Sequence, residues 1–398
     1  MTSNRNVLIS GASIAGPALA FWLRRYGFNP TVVERAPVLR PGGFAVDFRG
    51  PVHLEVLRRM DILAEVRANQ TDAGEMIVVD RDGRQQARLP AYLTAGEVEI
   101  LRGDLSRIIH DRTKDDVEYV FGDSITSLTE TPDGVEVTFE RGAPRTFDLV
   151  VGADGLHSNV RRLAFGAEER FLRHLGYYVC GFSMPGHPGP DKHNRLYNEP
   201  GRGVALGGVE AGALLVFASD PLEYDRRDPR QQMKIVERAY AGMGWQVPKI
   251  IDAMWAAPDF YFDSISQIHL DRLSQGRIVL LGDAGYGATC GGLGTGLAVV
   301  CAHVLAGELR AAGGDHRVAF RAYERIIREY ATGCQKTSDN AGAFLAPRTA
   351  FGIRRRNLMY KALASPRLSG FFNKLTTKAA SGLQLPAYPC CPGSKTSH

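Results

Sequence analysis

A chain of 398 residues can hold two domains or one large α/β body. With 44% hydrophobic and 23% charged residues it has the make-up of an ordinary globular protein. A net charge of +5 says little about partners; nucleic-acid binding would need a basic stripe, and the densest basic run, Arg354-Arg355-Arg356, reads as a solvated helix face, so no nucleic-acid partner is expected.

The chain opens on Val7-Leu8-Ile9-Ser10, an apolar run of strand type, followed by Gly11-Ala12-Ser13-Ile14-Ala15-Gly16. A helical pattern from Pro17 to Tyr26 stops at Gly27, and a second β-branched run, Thr31-Val32-Val33, ends on Glu34-Arg35. This is the opening of a dinucleotide-binding βαβ unit. Gly11 makes the tight turn, Gly16 lets helix and strand pack closely, and the helix N-terminus offers N–H groups to a pyrophosphate. Glu34, at the strand end, suits ribose hydroxyls. The second glycine of the pattern is replaced by Ser13, small enough for close backbone approach.

Arg40-Pro41-Gly42-Gly43-Phe44-Ala45-Val46-Asp47 follows, read either as a loop near a ligand or as a plain turn. Between Gly74 and Pro90 two strand-like runs flank Arg81-Asp82-Gly83, a hairpin signal. Arg102 opens a helix through His110, and Tyr119 to Glu140 holds strands around a turn at Thr131–Gly134. Asp148-Leu149-Val150-Val151 leads into Gly152-Ala153-Asp154-Gly155 and on to Ser158 and Arg161. Asp154 suits a turn or cap as well as a ligand. Arg161 suits an ion pair.

Residues 166–264 change character, with strand candidates at Tyr177–Met184, Arg195–Asn198, Val204–Leu206 and Ala213–Ala218. Helix candidates follow near Gln231–Ala241 and Pro248–Trp255. Arg277–Leu281 is a buried strand entering Gly282-Asp283-Ala284, and the turn Gly291-Gly292-Leu293-Gly294-Thr295-Gly296 opens a long apolar helix. The remainder is mainly helical up to a Pro-rich tail. Six cysteines without C-x-x-C or metal spacing fit a reducing, cytoplasmic setting, and no stretch reads as a membrane span. The histidines show no triad or metal spacing and read as structural. Tyr286 reads as a core aromatic whose hydroxyl finds a partner.

Three nucleotide-type segments in this order resemble the FAD-dependent aromatic hydroxylases, the single-component flavoprotein monooxygenases related to para-hydroxybenzoate hydroxylase. Within them the chain is most similar to the tetracycline-inactivating and polyketide-tailoring branch, over roughly its first 310 residues. The resemblance implies an α/β, Rossmann-like FAD-binding fold with an inserted β-rich substrate domain and C-terminal helices. Residues 1–73, 100–165 and 265–330 would form the FAD-binding domain, 74–99 and 166–264 the substrate domain, and 331–398 a helical region and tail. It further implies that Gly11, Ser13, Gly16 and Glu34 hold the ADP half of FAD, with Ala15 and Arg35 among the cofactor-binding residues. Arg102, Asp154 and Asp283 would contact the cofactor, with Asp283 on the ribityl chain. Arg40 and Asp47 match positions for nicotinamide nucleotide and FAD contacts. Gly292, Leu293, Gly294 and Thr295 would aim N–H groups at the flavin. The implied reaction takes electrons from NADPH or NADH and oxygen from O2, and hydroxylates an aromatic or polyketide-like small molecule through a flavin C4a-hydroperoxide. No side-chain nucleophile is required. Two positions depart from the family: Tyr286 where it often has His, and Thr289-Cys290 where it often has Pro. Baeyer–Villiger or epoxidising chemistry would use the same site, and a non-oxygenating FAD oxidoreductase remains a further alternative.

Overall fold

The computed structural model describes residues 5–40, 43–71, 74–90, 96–184, 193–207, 212–287, 292–363 and 383–388. The first part of the chain runs β1 (Asn6–Ser10), α1 (Ala15–Arg25), β2 (Asn29–Glu34), β3 (Ala45–Phe48), α2 (Gly50–Arg59) and α3 (Leu63–Ala68). The hairpin β4 (Met76–Val79) and β5 (Gln85–Leu89) follows, then β6 (Val98–Leu101), α4 (Arg102–Asp111) and β7 (Glu118–Phe121). Next come the meander β8 (Ile125–Glu130), β9 (Val135–Phe139) and β10 (Arg145–Phe147), then β11 (Leu149–Gly152) and α5 (Asn159–Ala164).

Strands β12 (Leu172–Ser183), β13 (Asn194–Glu199), β14 (Arg202–Leu206) and β15 (Gly212–Ala218) precede α6 (Pro229–Tyr240) and α7 (Val247–Ala256). The chain continues with β16 (Tyr261–Ile268), β17 (Ser274–Gln275), β18 (Ile278–Leu280) and α8 (Asp283–Tyr286). It ends in α9 (Gly294–Ala311), α10 (His316–Ser338), α11 (Ala341–Leu345) and α12 (Ala350–Leu363).

A six-stranded sheet has the order β17-β18-β11-β1-β2-β7, parallel except at the β17 edge. Its central strands are apolar on both faces because both are covered. Val7, Ile9 and Val151 face a core shared with α1 and α9, whereas Leu8 and Val150 face the meander and α5. The strand order reverses between β1 and β11, which opens a crevice at their C-terminal ends.

Helix α1 starts two residues before the predicted Pro17, because the missing N–H of a proline in the first turn has no intrahelical partner to lose.

The second sheet, β16-β12-β15-β14-β13-β4-β5, joins the predicted hairpin to the later strands through a parallel β13–β4 pair. One face packs Tyr178, Phe217 and Phe262 under α6 and α7. Strand β16 was not anticipated by the sequence, whose Ser264, Ser266 and Gln267 are polar yet buried. The Arg354–Arg356 run is not wholly solvated either. Arg356 is buried on α12 and donates to the Phe344 carbonyl and to Asn198, so the helix needs that cation inside. Pro41-Gly42, Thr289-Cys290, Gly291 and Cys390-Cys391 lie outside the described residues. Among the described residues no helix is long and apolar enough to cross a membrane.

Candidate active site

The crevice is built first from the turn after β1. Gly11 has φ +109°, and a Cβ there would stand 2.4 Å from the Ala153 carbonyl oxygen at the end of β11. A Cβ on Gly16 would stand 1.9 Å from the Gly11 carbonyl oxygen. Both positions therefore demand glycine, one for backbone conformation and close approach, the other for close approach alone. The N-terminus of α1, with Ala15 and Gly16 in its first turn, has no side-chain cap, and its third residue is proline. Its N–H groups and positive dipole end are available to an anion.

Glu34 fixes the far wall. One carboxylate oxygen accepts the Ala12 N–H at 2.9 Å and the other the Ala36 N–H at 2.8 Å. An ionised carboxylate offers about four lone-pair sites, so each oxygen can still accept a hydroxyl. Arg102 reaches the same turn from α4, its guanidinium donating to Ser13 Oγ at 2.9 Å, while Ser106 Oγ donates to the Ser13 carbonyl at 3.0 Å. A fixed cation thus stands beside an uncapped helix N-terminus.

The other two motifs meet the first here. Ser10 Oγ donates to Asp154 at 3.3 Å, and a Cβ on Gly282 would lie 3.2 Å from the Ala15 Cβ. Gly282 (φ +67°), two residues past β18, caps the N-terminus of α8 and leaves Asp283 exposed at its head. Asp154 itself caps α5: its carboxylate accepts Ser158 Oγ and the N–H groups of Asn159 (2.9 Å) and Val160 (3.0 Å). Burial raises its pKa, and these donors oppose the rise.

Arg161 is fully buried and ties the second motif to the third, donating to Ala284 O (2.9 Å), Leu156 O (2.7 Å) and Glu168 (2.8 Å). This is the ion pair expected of it. Tyr286 is a buried aromatic whose hydroxyl accepts the Gly282 N–H at 2.9 Å.

Asp47 accepts from Arg49 (2.8 Å) and from the Gly96 N–H (2.9 Å), and its Oδ2 lies 3.2 Å from where a Gly292 Cβ would be. Gly292 (φ +68°) and Leu293 lead into α9, where Gly294 and Thr295 form an N-terminus without a side-chain cap. Arg35 and Arg40 are exposed and make no ion pair among the described residues.

Sequence reading missed His157, which joins Glu168 and Asp263 across 106 residues. It also missed Phe44, whose ring stands where a Cβ on Gly181 would be and meets Tyr261 edge-on at 5.6 Å. The only cue for Phe44 was its place in the Gly42-Gly43 loop.

A parallel open sheet with three motifs converging at its switch point is the framework of a dinucleotide-binding protein. The chain belongs to the FAD binding domain family, whose pattern matches residues 4–335. It is 44% identical over 336 residues to the uncharacterized protein Rv1260 of Mycobacterium tuberculosis, covering 80% of this chain and 88% of that one. It is 36% identical to a flavin-dependent monooxygenase of Legionella longbeachae over 345 residues, 84% of this chain and 88% of the relative. Among solved structures the tetracycline destructase Tet(55) superimposes with a TM-score of 0.83 at 34% identity, covering 98% of this chain and all of that one. The protein is an FAD-dependent monooxygenase.

Proposed function

We propose that the protein uses NADPH or NADH and O2 to hydroxylate a flat aromatic or polycyclic small molecule. One observation carries this reading: an uncapped helix N-terminus, a fixed guanidinium at Arg102 and a tethered carboxylate at Glu34 surround a glycine turn that any Cβ would fill. That donor set fits the diphosphate and ribose of FAD. Arg102 and the α1 N–H groups hold the diphosphate, Glu34 the adenosine ribose, and Asp283 the ribityl hydroxyls. Asp154 contributes indirectly, by holding the loop after β11 against Ser10. The α9 N-terminus, reached through Gly292 and Leu293, stands ready for negative charge on a reduced flavin.

The chemistry that FAD would supply when held there is hydride acceptance from the nicotinamide nucleotide and activation of O2 for transfer of one oxygen atom. The protein's own residues orient the two reactants and keep water out. The seven-stranded sheet is the proposed substrate layer. Its stacked aromatics Tyr178, Phe217 and Phe262 lie beneath α6 and α7. The opposite face offers half-buried Phe44, Leu214 and Tyr261 around Gly181, and a flat ligand is proposed to rest there. Tetracycline destructases among the similar structures make fused-ring substrates the first to try. A cytoplasmic location belongs to the same proposal, since Cys180, Cys301 and Cys334 are free and buried.

The test is incubation with fused-ring aromatic candidates, NADPH or NADH, and labelled O2, followed by mass spectrometry. A product carrying one labelled oxygen is expected. Nucleotide oxidation that yields only peroxide with every candidate would overturn the reading.

A further inference from the structure

Gly296 sits in the first turn of α9, and its φ is not in the left-handed region. Nothing in its backbone asks for glycine, and inside a helix alanine is favoured over it. The obstacle is one side chain. A Cβ at 296 would stand 2.2 Å from both Cε1 and Nδ1 of His53 and 2.6 Å from its Nε2. The His53 ring, 1% exposed on α2, is not free to give way. Its Nδ1 accepts the Arg49 N–H at 3.1 Å, so the proton resides on Nε2, which donates to the Tyr330 hydroxyl at 2.7 Å. Phe48 closes another side edge-on.

The same short segment grips the other end of the turn. Arg49 binds Asp47, whose Oδ2 lies against Gly292. The stretch from Gly292 to Gly296 is thus held at both ends by residues 47–53. We propose that His53 is a positioning residue for the flavin. Its imidazole, seated in the notch left by Gly296, fixes where the N–H groups at the start of α9 would meet a bound flavin. The inference rests on the reading that this turn faces FAD.

The test uses the FAD-loaded protein and its Gly296→Ala, His53→Ala and His53→Ala/Gly296→Ala variants. FAD affinity is read by flavin fluorescence and the two-electron potential by equilibration with a reference dye. Gly296→Ala is expected to weaken FAD about tenfold or more by forcing the ring and the turn apart. Reduced flavin depends more on the N–H groups than oxidised flavin. A tenfold differential loss lowers the potential by about 30 mV for a two-electron couple. The double variant, with room for the new methyl, should regain most of the affinity. A double variant as weak as Gly296→Ala overturns the interlock and leaves the FAD site standing. Unchanged affinity and potential in Gly296→Ala overturn the interlock, whereas a parent protein that binds no FAD overturns the reading on which it rests. Should Gly296→Ala fail to fold, His53→Ala alone decides: a lowered potential supports the positioning role, and an unmoved potential with a lower melting temperature overturns it.

Discussion

His157 Nε2 stands 2.9 Å from Asp263 on β16, and its Nδ1 stands 2.9 Å from Glu168 beyond α5. One imidazole thereby fastens the loop after β11 to the seven-stranded sheet. Arg161 and Arg226 approach from the far side of Glu168, and the Tyr261 hydroxyl reaches Asp263.

This arrangement sets a pH dependence. Burial opposes a charge on His157, but hydrogen bonds and charges from Asp263 and Glu168 outweigh it and raise the pKa from 6.5 to about 9. A group whose folded pKa is raised stabilises the fold fully below its unfolded value and loses that contribution as pH climbs through the folded one. Unfolding in denaturant at a series of pH values should show a loss of about 2–3 kcal/mol between roughly pH 6.5 and pH 9.5. His157→Gln should lack that slope. The same slope in both proteins would remove His157 as its source.

Arg161→Met should be among the more damaging substitutions. It leaves the Leu156 and Ala284 carbonyls without their donor and takes one cation from Glu168. Breaking a buried pair on one side costs about 3–5 kcal/mol. Equilibrium unfolding checks this, and a loss below about 1 kcal/mol, the scale of an exposed pair, would contradict the buried role.

Asp283→Ala should weaken FAD by about 1.5–3 kcal/mol, the worth of hydrogen bonds to an ionised acceptor. FAD retained after gel filtration measures it. Parent-like retention would move the ribityl contact elsewhere.

Arg40→Ala should raise KM for the nicotinamide nucleotide by roughly 10- to 150-fold while FAD content holds, because an exposed cation next in sequence to the Pro41-Gly42-Gly43 stretch suits transient phosphate contacts. Steady-state kinetics at varied NADPH and NADH decide it. A fall in bound FAD with unchanged KM would assign Arg40 to the wrong nucleotide.

The first βαβ unit was legible because its signals are local: a strand, a glycine turn, a helix and an acid within thirty residues. The hairpin at 76–89 and the strands at 194–218 were legible for the same reason. What escaped depends on distant partners. Strand β16 hides its identity because its polar residues are paired internally, as in the Ser264–Ser266 contact at 2.7 Å. His53 read only as one of several structural histidines. Its meaning lies in a glycine 243 residues away, and only packing reveals it. Asp154 shows the middle case, where the sequence left cap and ligand equally open and the fold uses the side chain as a cap.

The parallel seam between β13 and β4 has a consequence for how such a protein can change. The second sheet is assembled from stretches on both sides of β11, an inner strand of the first, and the first is completed by β17 and β18, which follow the second sheet's last strand. Neither sheet can be cut out as a contiguous length of chain, so exchange of one contiguous segment cannot replace the second sheet whole. A change to that sheet therefore enters through single side chains, such as those packed around Gly181, or through the loops between its strands.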